Sequence, residues 1–265
     1  MNDELKFTVI SDTHYYSKKN FVDGFDKNKK PKPGQLFFSR SEEIVEHTFD
    51  CLCKNDTPDI VLISGDLTYN GERTSHDEMK AALKKLQQKG KRVYVITATH
   101  DYTTPRMPTY GIDKNDKYIE VESVKRTQLL KYYGDFGYNN AIAKHKSTMS
   151  YVAQLADGYR LFALNDDYGD PDCGFSDELM NWVKTEANNA KRDGQYIIAM
   201  THHPLVPPSP IYTAVAKGDM LNDYELRRKQ LSDLGFDFVL TGHTHMHNIS
   251  YCKIGNKKFY DISTA

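Results

Sequence analysis

Short runs of β-branched and aromatic residues alternate along this chain with longer stretches in which apolar residues recur every three or four positions. The first pattern predicts strands, the second amphipathic helices, and their alternation a mostly parallel sheet covered by helices. Strands are expected over residues 7–11, 60–64, 93–97, 150–155, 160–165, 196–200, 238–241, 248–252 and 258–262, with Gly255-Asn256 turning a hairpin between the last two. Helices are expected over residues 42–54, 76–89, 121–133, 177–192 and 223–234. Ser39 with Glu42, and Ser75 with Glu78, have the spacing of capping boxes, and Gly90 and Gly235 stand where helices should end. Residues 102–120 and 204–222 break the rhythm. Connections of that length in a compact domain usually carry function, so substrate choice is expected to reside there.

The length of 265 residues suits one large α/β domain over residues 1–265 with a well-buried core. Lysine plus arginine total 35 against 36 for aspartate plus glutamate, so no basic excess argues for a stable nucleic-acid partner. Cys51, Cys53, Cys173 and Cys252 lack the paired spacing of a zinc ribbon and fit a reducing, cytoplasmic setting. The first strand starts too early for a leader, and no stretch reaches the ~20 apolar residues of a membrane helix. The chain stops at Ala265 directly after a strand, as expected of a domain cut from a longer protein. Oligomeric state is left open.

Candidate chemistry sits where the strands end. FTVIS runs into Asp12-Thr13-His14, IVLIS into Gly65-Asp66, VYVIT into Thr99-His100-Asp101, YIIAM into Thr201-His202-His203, and FVLT into Gly242-His243-Thr244-His245. In open α/β sheets ligands bind beyond the carboxyl ends of the strands, so neighbouring strands would gather all five clusters on one rim. Residues two apart in extended backbone share a side, which would pair Asp12 with His14 and His243 with His245. Asp66, alone on a tight turn, suits a bridge between two ions. Mixed imidazole and carboxylate donors favour zinc, manganese, iron or cobalt over calcium. Two divalent ions bring four positive charges and Asp12 and Asp66 return two, leaving a surplus to polarise phosphoryl oxygens and lower the pKa of bound water.

These motifs in this order resemble the calcineurin-like metallophosphoesterase superfamily over residues 7–247. The segments GDLTYNGE, SHDEM, DFGYNNAI and THHPL are similar to those of bacterial class III cyclic-nucleotide phosphodiesterases. The resemblance implies a four-layer α/β/β/α sandwich with two mixed sheets, two transition-metal ions (manganese, iron or zinc), and hydrolysis of a phosphodiester, a cyclic nucleotide among the candidates, by metal-bound hydroxide. It implies that Asp12, His14 and His245 hold the first ion, that Asp66 bridges, and that His202 and His243 hold the second. His100 matches the position that protonates the leaving alkoxide or orients the phosphate, with Asp101 as its hydrogen-bonding support. The third motif departs from the family's Gly-Asn-His-Asp: Thr99 stands at the asparagine, a poorer neutral donor, so either Thr99 touches the metal directly but weakly or a water takes its place, and the second ion is expected to bind loosely. Phosphomonoesterase and nuclease are the alternatives within the family, and a poorly active metal-binding scaffold for a phosphorylated partner is the alternative outside enzymes.

Several residues have plainer readings. His202 is preferred to His203 as a ligand by motif register, and His247 reads as a solvated strand histidine. His47, His76 and His145 lie in polar surroundings and are assigned no role. Thr68 and Asn70 read as shaping the turn after Asp66. Tyr15 and Tyr16 could stack on a nucleobase, although aromatic residues beside a site are more often packing.

Overall fold

The computed structural model describes residues 4–23, 38–54, 56–105, 107–168 and 172–264. The chain end at Ala265 lies outside them. The amino-terminal half runs β1 (Phe7–Ile10), α1 (Ser41–Leu52), β2 (Ile60–Ser64), α2 (Arg73–Gln88) and β3 (Arg92–Ile96). A short hairpin follows, β4 (Gly111–Ile112) and β5 (Tyr118–Ile119), then α3 (Leu129–Tyr133), β6 (Ala143–His145), β7 (Ser150–Ala156) and β8 (Tyr159–Ala163). The remainder is α4 (Asp177–Arg192), β9 (Tyr196–Met200), α5 (Tyr212–Val215), α6 (Tyr224–Leu234), β10 (Phe238–Thr241), β11 (Asn248–Ile254) and β12 (Lys257–Ser263).

Two sheets stack face to face. The smaller has the order β1-β2-β3 and is wholly parallel; the larger has the order β11-β12-β10-β9-β8-β7-β6 and is mixed. The period-2 alternation of the large sheet divides its side chains between two cores. Tyr151, Ala153, Leu161, Ala163, Ile198, Met200 and Leu240 join residues of the small sheet and of α1 and α2 in one cluster. Val152, Phe162, Leu164, Ala199 and Val239 face α4 and α6 through Leu179, Val183, Ala187 and Leu231 in the other. The result is four layers, helices–sheet–sheet–helices, because each sheet presents an apolar face to its neighbour and another to a helix pair. Among the described residues no helix is long and apolar enough to cross a membrane.

Three local expectations change. Ser39 lies within a 3₁₀ turn (Phe38–Arg40) ahead of α1, and the helix starts without a side-chain cap. Ser75 is the third residue of α2, not its cap; its hydroxyl accepts from Ser17 N at 3.1 Å and from Asn20 Nδ2 at 3.1 Å. Tertiary contacts thus use the hydroxyl that a capping box would need. The helix expected over residues 121–133 shrinks to α3 because Val124 N donates to Gly71 O and Arg73 N donates to Glu122 O, holding that stretch as extended backbone beside α2. The endings at Gly90 and Gly235 hold: both glycines take left-handed φ values, +88° and +100°.

Since β1, β2 and β3 are mutually parallel, and β8, β9 and β10 likewise, the carboxyl ends within each set stand level. Hydrogen bonds then sew these ends together. Asp12 N donates to Gly65 O, His14 N to Asp66 O, Thr201 N to Leu240 O, and Gly242 N to His202 O. Across the sheets, Thr97 N donates to Asn165 Oδ1 at 3.0 Å and His243 N to Asp12 Oδ2 at 2.9 Å, so one rim carries the endings of both.

Candidate dinuclear metal centre

Asp12, His14, Asp66, His243 and His245 all have left-handed backbones, with φ of 52°, 38°, 53°, 68° and 51°. For non-glycine residues each such conformation costs about 1–2 kcal/mol, and clustering of this kind marks a site whose surroundings impose it. It also corrects the expected route by which the pairs come together. Strands β1 and β10 end before these residues, at Ile10 and Thr241. Asp12 and His14 converge because the chain coils past the strand end, not because extended backbone alternates. Two glycines make room. A Cβ on Gly65 would lie 2.7 Å from Ala98 Cβ and 2.9 Å from His202 Nδ1, and one on Gly242 would collide with Ser11 Oγ and Asp12 Oδ2.

The ligand atoms form overlapping groups. Asp12, His14 and His245 make one, Asp66, His202 and His243 a second, and His14, Asp66 and His100 a third; within each, the donor atoms lie within 4.8 Å of one another. In the first group His14 Nε2 is 3.1 Å from His245 Nε2, and Asp12 Oδ1 is 3.4 Å from His245 Nε2 and 3.8 Å from His14 Nε2. Asp66 Oδ2 joins the groups, 3.2 Å from His202 Nε2 and 3.8 Å from His14 Nε2, while its Oδ1 accepts from His100 N at 3.0 Å. Two donors on one transition metal at bond lengths of about 2.0–2.2 Å are themselves about 3.0–3.5 Å apart. The observed separations are of that size or slightly wider. His202 Nε2 is buried without a hydrogen bond of proper geometry, and His202 Nδ1 donates to Ser64 O at 2.8 Å, which turns Nε2 toward Asp66 as a donor atom. The residues present fit a pair of cations.

The site's electrostatics follow from its burial. Desolvation alone would lower His202, but Asp66 outweighs it and raises the imidazole to about 10. Burial lowers His14 to about 4. Burial would raise Asp66, yet His202 and His100 hold it well below the carboxylate range. Protons and a cation compete for these same atoms.

His100 faces His14 edge-on at 4.7 Å. Its support is not Asp101. His100 Nδ1 lies 2.6 Å from Tyr69 O and 2.8 Å from Asn70 Oδ1, so the turn after Asp66 orients the ring. Asp101 is fully buried and instead accepts from Thr68 N and Ala98 N, both at 2.9 Å, bracing the two turns against each other. Burial, with Asp66 adding to it, pushes its carboxyl up to about 8. His76, expected in polar surroundings, is fully buried behind it. Burial keeps its imidazole neutral by lowering it to about 3, with Nε2 donating to Asp101 O at 3.0 Å and Nδ1 accepting from Tyr133 Oη at 2.6 Å. Thr99 opens the 3₁₀ turn Thr99–Asp101, and its hydroxyl takes no hydrogen bond among the described residues.

His203 turns away from Asp66, its Nδ1 3.1 Å from Asp166 Oδ1, in keeping with the preference for His202. Asp166 was passed over in the sequence. Its Oδ2 accepts from Thr201 Oγ1 at 2.9 Å, His202 N at 3.1 Å and His203 N at 2.7 Å, so it shapes the turn that presents His202. The signal existed, because Asn165-Asp166-Asp167 follows an apolar run just as the other clusters do. Tyr15 and Tyr16 are buried at 5% and 1% exposure, which leaves no face for a ligand; His247 is exposed.

A sequence model of calcineurin-like phosphoesterases matches residues 5–247. No curated protein sequence matches the chain. Among solved structures, a dimetal phosphatase from Danio rerio superposes with a TM-score of 0.63 at 12% identity, covering 97% of this chain and 86% of that one. A phosphopantetheinyl hydrolase from Mycobacterium tuberculosis gives a TM-score of 0.45 at 11% identity, over 98% of this chain and 89% of its own.

Proposed function

Because the chain belongs to the calcineurin-like phosphoesterase family, and so is a metal-dependent hydrolase of phosphoester bonds, we propose that its substrate is a phosphodiester, nucleotides included, and that Asp66 is the bridge of a dinuclear centre. The observation that carries this reading is Asp66 Oδ2, one oxygen placed between His202 Nε2 at 3.2 Å and His14 Nε2 at 3.8 Å. On it, Asp12, His14 and His245 would hold one ion, and His202 and His243 the other. When bound, the ions supply Lewis acidity and a water of lowered pKa.

The chain's own groups do the rest. Asp12 accepts from His243 N through both oxygens, at 3.2 and 2.9 Å, and so ties the two ligand loops together. With Nδ1–H donated to Tyr69 O, His100 carries any second proton on Nε2, aimed at the side occupied by His14 and Asp66. That proton goes to the departing oxygen. The cytoplasm is the compartment that fits the free thiols at Cys51, Cys53, Cys173 and Cys252.

A second reading is favoured by one observation, the hydroxyl of Thr99, which takes no hydrogen bond among the described residues. A weakly filled second position would leave a phosphate-binding scaffold with little turnover. Chelated protein reloaded with manganese or zinc, assayed on an aryl phosphodiester and an aryl phosphomonoester with metal content measured in parallel, separates the two. Two ions and preferential diester cleavage support the first; one ion and no turnover supports the second. Preferential monoester cleavage sinks the diester assignment.

A further inference from the structure

Beside the ligand group Asp66, His202 and His243 stand three side chains that the phosphoester chemistry leaves unused as ligands. Asp166 Oδ1 lies 3.1 Å from His203 Nδ1, and both residues are buried. The Cys173 thiol shares a hydrogen bond with the same imidazole. Backbone contacts hold the cysteine in place: Gly174 N donates to Asp166 O at 2.7 Å, and Asn222 N donates to Cys173 O at 2.8 Å. Cys173 has a left-handed backbone, with φ of 53°, a conformation that persists only where the surroundings impose it. The thiol is free and the residue partly exposed, so a small reagent reaches it.

A nucleophile, a base within hydrogen-bond reach and a third group that orients the base form the arrangement that activates a thiol. With Nδ1 engaged by Asp166, His203 has Nε2 to take the thiol proton, and the buried carboxylate balances the charge the ring then carries. Asp166 is itself fixed, since its other oxygen accepts from His203 N at 2.7 Å and from His202 N at 3.1 Å. The other cysteines are placed differently. Cys51 has His47 Nε2 at 3.7 Å and Lys54 Nζ at 3.6 Å, but that imidazole is exposed and no carboxylate among the described residues holds it. Cys252 lies on β11, where burial pushes its thiol up.

We infer that Cys173, with His203 and Asp166 behind it, is a peroxide-reactive thiol whose oxidation acts on the second ion position. The sulfur attacks one oxygen of hydrogen peroxide: an S–O bond forms as the O–O bond breaks, and sulfur gives up the two electrons that the peroxide accepts. The thiol proton passes through His203 to the departing oxygen, which leaves as water and leaves a cysteine sulfenic acid. The added oxygen stands against His203, whose ring packs on His243 with centroids 4.2 Å apart, and whose partner Asp166 also holds the turn of His202. Resting on the dinuclear reading above, both ligands of the second ion are therefore disturbed together.

Treatment of the reduced, chelated chain with hydrogen peroxide, followed by dimedone labelling and peptide mass mapping, reads the site directly. Cys173 is expected to take the label at least about ten-fold faster than Cys51, Cys53 or Cys252, well within what a positioned base contributes to proton transfer. In urea the four cysteines should label alike, because the advantage belongs to the fold. His203→Gln, its fold checked by circular dichroism, should erase the advantage; if that variant does not fold, the urea comparison decides instead. Calorimetry with manganese chloride should find the second ion held about ten-fold more weakly after oxidation, the scale of losing a group that orients a metal ligand, and Cys173→Ser should not respond to peroxide. Equal labelling of the four cysteines in the folded chain, an advantage that survives in urea or in folded His203→Gln, or a second-ion affinity untouched by oxidation overturns the inference. A reduced chain that binds fewer than two ions sinks the dinuclear reading, while the labelling result decides the thiol site separately.

Discussion

Replacing Asp66 by asparagine removes the charge that both histidine groups share while keeping the shape of the side chain. In the chelated protein its effect on stability is set by His202, which is fully buried and raised to about 10 by Asp66 against the pull of burial. A histidine raised in the fold stabilises most below its unfolded value of about 6.5, and that stabilisation is lost as pH rises through about 10. Breaking a buried ion pair by removing one partner costs roughly 3–5 kcal/mol. The conversion of about 1.4 kcal/mol per pH unit gives a figure of the same size at pH 6, falling to roughly 2–3 kcal/mol at pH 8 and to near zero above pH 10. Urea denaturation of the parent chain and Asp66→Asn, both in chelator, should show the gap between their unfolding free energies closing across that window. With manganese restored, Asp66→Asn should lose at least a hundred-fold in hydrolysis and bind both ions more weakly. A stability gap that does not change with pH would falsify the pairing of Asp66 with His202, and turnover near the parent level would end the bridging assignment.

Other expectations follow from the same contacts. Thr99→Asn supplies an amide oxygen where a shorter hydroxyl now stands, so calorimetry should find tighter binding of the second ion; unchanged or weaker affinity places Thr99 away from it. Asp166→Asn leaves the fully buried His203 without its charge partner and should cost about 3 kcal/mol in urea while lowering kcat at least ten-fold, since it releases the turn that presents His202. Full activity in that variant would show that the turn holds without the carboxylate. Glu72 is buried and raised by that burial to about 7, so its protonated form is favoured in the fold and stability falls by about 3 kcal/mol as pH rises from 4.5 to 7. Glu72→Gln should lose correspondingly less over this interval, and parallel pH–stability curves for the two proteins would contradict the assignment.

Much of the candidate centre was legible without coordinates, because metal ligands must be particular residue types and parallel strands must end on a common rim. Asp12, His14, Asp66, His100, His202, His243 and His245 each follow an apolar run, and the structure brings all seven into the overlapping groups of ligand atoms. The strand and helix pattern was equally readable where burial enforces a period, as in the division of the large sheet between two cores. What the linear pattern lacks is any record of where a hydrogen bond goes. Ser75 carries the spacing of a cap and uses its hydroxyl on Ser17 and Asn20. Asp101 follows His100 in the chain but braces Thr68 and Ala98, while carbonyl and amide oxygens thirty positions away orient the imidazole. The left-handed turns that aim the ligands, the role of Asp166, and the approach of Cys173 to His203 arise only once the sheets have stacked. Composition and periodicity dictated the layers and the ligand types, since both depend on local chemistry and burial; the directions of the ligands depended on contacts between turns from different strands, which only the folded chain creates.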